Sequence, residues 1–217
     1  MIRIVRAGDD FARAGAEAIA SVLEQRLQKR PRVSFAVSGG RTPAPVFEAL
    51  ADKALPWERI DIFQVDERVA PAGDEARNLR GLEASLLSRV AATGHAMPVE
   101  EPNLEEAARA YARGLPPSLD LVHLGLGADG HTASLVPGDP ALDVLDAPLA
   151  ITEPYQGHVR MTLTFPVIDA AAARVWLVTG ADKRVRVQQL LAGDLSIPAG
   201  RVRQENTVLV ADAAALR

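Results

Sequence analysis

Five short runs of β-branched and aromatic residues recur along this chain: RVSFAV at 32–37, IDIFQV at 60–65, LDLVHL at 119–124, RVWLVT at 174–179 and TVLV at 207–210. Each ends at a glycine or a charged turn, and the apolar character is mostly continuous rather than alternating. Continuous apolar strands belong in a sheet covered on both faces. Helical stretches separate them. Residues 10–29 place Phe11, Ala14, Ala18, Val22 and Leu23 near one face, opposite a charged side. Residues 43–52 follow Thr42 as N-cap, with Pro43 at the first helical position. Stretches 78–90, 104–113 and 182–192 complete the set, and the alanine run 170–173 reads as a turn or short helix. Strand alternating with helix predicts an α/β fold of three layers, a mainly parallel sheet with helices on both faces. No internal repeat or long linker interrupts it, so one domain over 1–217 is the simplest expectation.

Hydrophobic residues make up 48% of the chain, enough for a sizeable core without covalent staples. The chain has no cysteine, which excludes disulfides, thiolate metal sites and cysteine nucleophiles, and fits a reducing compartment. A net charge of −4 without clustered Lys and Arg gives no nucleic-acid footprint. MIRIVRAGDDFARAG has no apolar run long enough for a signal peptide, and no stretch approaches the roughly 20 apolar residues of a membrane helix. The cytoplasm is the expected location, with no membrane and no obligate protein partner in evidence.

Open parallel sheets bind ligands beyond the carboxyl ends of their strands. The predicted strand ends carry SGGRTP (38–43), DER (66–68), GLGADGH (125–131) and TGADK (179–183), so four polar loops should share one rim. In SGGRTP, Ser38, Gly39 and Gly40 form a tight turn whose N–H groups can face an anion at the start of a helix, with Thr42 and Arg41 as further donors. The glycine spacing is not that of a Walker loop; the alternative is a turn that needs glycine for geometry alone. In DERVAPAGDEARNLR, charged groups at a strand end are costly unless paired or used. Asp66 suits a sugar hydroxyl, and Arg68 or Arg77 a phosphate; the alternative is an Asp–Arg pair that fixes the loop.

Gly125, Gly127 and Gly130 satisfy G-x-G-x-x-G after a strand, which raises a dinucleotide loop. Asp129 would then repel the pyrophosphate, and the motif lies more than halfway along the chain rather than in the first strand–helix unit. The competing reading takes Asp129 and His131 together: an imidazole suited to proton transfer, oriented by a carboxylate two residues away. His95, His123 and His158 lack such a context, and no ligand spacing supports a metal site from Asp129, His131 and His158. Arg160 in HVRMTLTF and Lys183 in TGADKR are either solvated or part of a phosphate cage.

SGGRTP, DERVAPAGDEARNLR, LGLGADGHTASLVPG, RMTLTFPVI and VTGADKR, in this order, resemble the 6-phosphogluconolactonases, which share a Rossmann-like fold with the glucosamine-6-phosphate deaminases. The resemblance spans about 33–183, and GADGHTASLVPG is its most specific element. It implies that His131 draws a proton from water for attack on a sugar-phosphate lactone, with Asp129 tuning the ring. It further implies that Ser38, Gly39, Gly40 and Thr42 bind the phosphate with Arg160 and Lys183. Asp66 and Arg68 would then shape the sugar pocket, and Arg77 would contact substrate. No metal or organic cofactor is implied. Arg41 departs from the small hydroxyl residue common in the family and receives no specific contact. A deaminase or isomerase remains the nearest alternative, although the residues after DGH, Ser134-Leu135-Val136, lack the acid found there. A non-catalytic sugar-phosphate sensor on the same fold is the other.

Overall fold

The computed structural model describes residues 1–217. Seven strands form one all-parallel sheet: β1 (Arg3–Arg6), β2 (Val33–Val37), β3 (Ile60–Gln64), β5 (Thr93–His95), β6 (Leu121–Leu124), β9 (Arg174–Val178) and β10 (Thr207–Ala211). A smaller antiparallel sheet joins β4 (Asp66–Arg68), β8 (Arg160–Leu163) and β7 (Leu149–Ile151) in that order. Val65 is the junction: its N–H donates to Val37 at 2.9 Å, while its carbonyl accepts from Leu163 at 2.8 Å. The five apolar runs all become strands of the parallel sheet. The strands not foreseen, β1, β4, β5, β7 and β8, are three or four residues long.

Side-chain alternation along each strand divides the interior into two cores. Phe35, Val37, Ile60, Ile62, Val175 and Leu177 pack to one side with helices α1 (Phe11–Leu27) and α2 (Pro43–Ala51). Ala36, Phe63, Trp176, Val178 and Leu209 face the other side with α4 (Leu104–Gly114) and α6 (Arg184–Ala192). The expected three-layer arrangement is therefore present. In α1, Asp10 caps the helix by accepting from the Arg13 N–H at 2.9 Å. Its buried stripe runs through Ala16, Ile19, Leu23 and Leu27, turned from the expected one, so that Phe11, Ala14 and Val22 are only partly buried. The expected helix over 78–90 is instead α3 (Asn78–Leu82) followed by a π turn over Glu83–Leu87, closed by the Ser88 N–H on the Glu83 carbonyl.

The strand order β1-β10-β9-β6-β2-β3-β5 contains the feature that positions the site. From β2 the chain steps outward through β3 to β5, then returns to β6 on the other side of β2 and steps outward through β9 and β10. The loops leaving β2 and β6 part in opposite directions, and a crevice opens between them.

Candidate active site

The crevice is a cleft of about 330 Å³, a size that suits a small ligand. The loops after β2, β6 and β9 line it, together with Asp66, Arg68 and Arg160 from the small sheet. The expected common rim is therefore present, with DER as a strand rather than a loop.

The loop after β6 brings His131 and Asp129 together. Its chain turns back on itself through Gly127 N–H to His131 O at 2.8 Å and Gly130 N–H to Gly127 O at 3.1 Å. His131 Nδ1 lies 2.6 Å from Asp129 Oδ1, which also accepts the His131 backbone N–H at 3.1 Å. An ionised carboxylate only accepts, so Nδ1 carries the proton and Nε2 is left as a base. The His131 side chain is 23% exposed and lines the cleft, whereas Asp129 stands behind it. A Cβ at Gly127 would meet both the His131 ring and the Asp129 carboxylate, so this position requires glycine. No helix opens behind the loop, and without a helix N-terminus the dinucleotide reading loses its physical basis.

Tyr155 completes this group and was not foreseen. Its hydroxyl donates to Asp129 Oδ2 at 3.0 Å, and its ring meets the His131 ring edge-on with centroids 5.5 Å apart. Burial pushes the Asp129 carboxyl up, but the donors from His131 and Tyr155 outweigh it and hold it below the usual aspartate value. Burial and the neighbouring carboxylate push the Tyr155 phenol up, which keeps it a donor.

The loop after β2 has the opposite character. The N–H groups of Gly39, Gly40, Arg41 and Thr42 donate to no protein acceptor and stand at the start of α2, an arrangement suited to an anion. Ser38 differs from expectation: its N–H donates to His123 Nδ1 at 3.3 Å and its hydroxyl to the His123 carbonyl at 3.2 Å. Burial holds His123 down at about 3, so the ring is neutral and can accept. Gly39 packs against the Asn78 side chain where a Cβ would collide. Thr42 Oγ1 lies 3.4 Å from Thr179 Oγ1, tying two rim loops together rather than capping its helix. Lys183 also lines the cleft, 3.2 Å from Asp182; Arg41 lines it without a hydrogen bond to protein.

Alternation along β4 sorts DER by face. Asp66 and Arg68 reach the cleft, and Asp66 Oδ2 accepts from Ser134 Oγ at 2.7 Å. Glu67 points away, fully buried, and accepts the N–H groups of Asn78 and Leu79 at the start of α3 at 2.7 and 2.8 Å. Arg77 is not brought to the cleft. Its side chain is 3% exposed and pairs with Glu67 at 3.2 Å and Glu100 at 2.6 Å, which serves the interior rather than a substrate. Arg68 and Arg160 face each other in register across β4 and β8, a placement that like charges disfavour. Each keeps a buried Nε without a partner. Burial, then Arg68, hold the Arg160 guanidinium below its ordinary value. Two cations thus stand side by side on the cleft wall.

His95 pairs with Asp61 at 3.1 Å and stacks on Phe63, and His158 is half-buried, with Nδ1 3.3 Å from the Gln156 carbonyl. Neither joins the cleft.

The chain matches the family described as glucosamine-6-phosphate isomerases/6-phosphogluconolactonase over residues 6–211. A 6-phosphogluconolactonase from a Nostoc species is 36% identical over 215 residues, covering 91% of this chain and 89% of the relative. The crystal structure of 6-phosphogluconolactonase from Thermotoga maritima superposes with a TM-score of 0.89 at 30% identity, covering 98% of this chain and 99% of that one. A monomeric glucosamine-6-phosphate deaminase shares the fold, with a TM-score of 0.85 at 15% identity. The chain thus belongs to the glucosamine-6-phosphate isomerase/6-phosphogluconolactonase family.

Proposed function

We propose that this protein is a carboxylic ester hydrolase that opens 6-phospho-D-glucono-1,5-lactone to 6-phosphogluconate, a step of the oxidative pentose phosphate pathway. The observation that carries this reading is the pairing, across one cleft, of the Asp129–His131 dyad with the free N–H groups of the loop after β2. His131 Nε2 takes a proton from water as the oxygen attacks the lactone carbonyl. The tetrahedral intermediate collapses with cleavage of the ring C–O bond, and the imidazolium returns its proton to the leaving alkoxide. Asp129 keeps the proton on Nδ1 and stabilises the charged ring. The phosphate is held by Gly39, Gly40 and Thr42, and by Arg160 and Lys183, whose charge strengthens each hydrogen bond. Asp66 and Arg68 shape the sugar pocket.

Amine loss from an amino sugar would call for a further acid–base group. Behind the dyad, Ser134 and Leu135 offer a hydroxyl already committed to Asp66 and a buried isobutyl group, which favours simple hydrolysis. No helix is long and apolar enough to cross a membrane, and we assign the protein to the cytoplasm as one domain. The test is an initial-rate assay with the spontaneous rate subtracted. His131→Ala should lower kcat by roughly 10²–10⁴-fold, the usual worth of a general base, with KM changed only a few-fold. Turnover that survives the substitution, or ammonia release from glucosamine-6-phosphate at a comparable rate, overturns the reading.

A further inference from the structure

Tyr155 touches both the Asp129–His131 dyad and Arg160, and these contacts carry an inference that rests on the function proposed above. We propose that Tyr155 is a positioning residue: its hydroxyl fixes the Asp129 carboxylate for His131, and its ring links that dyad to the anion-binding Arg160. The donor direction follows from the neighbours. Gln156 Nε2 donates to the phenol oxygen at 3.1 Å, so the single phenol proton is directed to Asp129 Oδ2 at 3.0 Å. Asp129 therefore receives a donor on each oxygen, His131 on one and Tyr155 on the other, and cannot rotate without losing one of them.

The ring is itself held. Tyr155 and His158 form an antiparallel bridge, with Tyr155 N–H to His158 O at 2.9 Å. Gln156 and Gly157 turn the chain with φ of 50° and 84°, the positive pair of a tight two-residue hairpin turn. Arg160 packs its guanidinium carbon 5.0 Å from the ring centroid and donates to the Tyr155 carbonyl at 3.3 Å. An anion that draws on Arg160 thus draws on the group that carries the phenol. Besides these residues, Arg186 approaches the dyad loop, where it donates to the Ala128 carbonyl at 3.0 Å.

Two variants separate the hydroxyl from the ring, with His131→Ala as reference. Tyr155→Phe keeps the packing and removes the hydroxyl. It should lower kcat about tenfold, the effect of one hydrogen bond to a charged group, with KM within about twofold. The acid limb of its kcat/KM profile should move to higher pH, because a carboxylate relieved of one donor attracts the imidazole proton more strongly. Tyr155→Leu should in addition raise KM by about three- to tenfold, as Arg160 loses the ring beneath it. Wild-type kcat and an unmoved acid limb in Tyr155→Phe, while His131→Ala is inactive, would overturn the positioning role and leave the function standing. An unchanged KM in Tyr155→Leu overturns the link to Arg160. If the wild type hydrolyses no lactone, the function fails instead. The downfield Nδ1 proton resonance of His131 then decides: shifted in Tyr155→Phe it supports the contact, and unshifted it overturns it.

Discussion

Two glycine loops leave neighbouring strands of one sheet and meet across one cleft, yet they use their backbones in opposite ways. The loop after β2 leaves four successive N–H groups without protein acceptors, whereas the loop after β6 turns its own inward and holds His131 against Asp129. The first is prepared to receive charge from outside; the second is completed by its own atoms. Glycine content therefore says little about a loop's task until its hydrogen bonds are traced. What distinguishes the two is their surroundings. A helix begins behind the first loop and adds its partial positive charge, while Tyr155 closes over the second.

The sharpest way to break this contrast is Gly127→Ala. The new Cβ meets the ring and carboxylate of the dyad, and misplacement of a reacting group on this scale costs about 10²-fold. The expected result is a fall of that order in kcat with KM little changed; equal losses in both would mean that the two loops are not functionally separate. Lys183→Met addresses the other side. KM for the phosphorylated lactone should rise about tenfold, as for the loss of one charged hydrogen bond. Hydrolysis of the unphosphorylated lactone should be unaffected, and a parallel loss on both substrates would remove Lys183 from the phosphate site.

A smaller effect concerns the base of the first loop, where the neutral His123 ring accepts the Ser38 N–H. Its folded value of about 3 lies below the ordinary 6.5. Between these limits the unfolded chain binds the proton and the native state does not. Stability should therefore fall with decreasing pH, by about 1.4 kcal/mol per pH unit from this group. Comparing denaturant melts of the wild type and His123→Leu at pH 7 and pH 5 measures it. The variant should be less sensitive to the change, and equal sensitivity would show that His123 is protonated in the native state.

The parts of the fold legible in the sequence are those whose signal is local. Continuous apolar runs announced the buried parallel strands, because a strand covered on both faces has no polar side to show. β1 and β4 carry Arg-Ile-Val-Arg and Asp-Glu-Arg, which read as polar because their partners are remote in the chain. Arg77 had the composition of a substrate contact. Only Glu67, ten residues earlier and on the hidden face of β4, turned it inward. Tyr155 gave no signal at all: it is 26 residues from Asp129, and nothing in EPYQGH announces a donor to that carboxylate.

His131 beside Asp129 follows from the sequence alone, since two residues of separation on a glycine loop place imidazole and carboxylate within reach of each other. The order of strands and helices, and the polarity of the loops at the strand ends, are likewise written locally. The tertiary structure decided which loops face each other, because strand order at β2 and β6 depends on pairings across the sheet rather than on neighbours in the chain. It also decided which cations serve the cleft and which the interior. A charged side chain takes its role from the partner that desolvates with it, and the partners of Arg77, Arg160 and Asp129 were supplied by the fold.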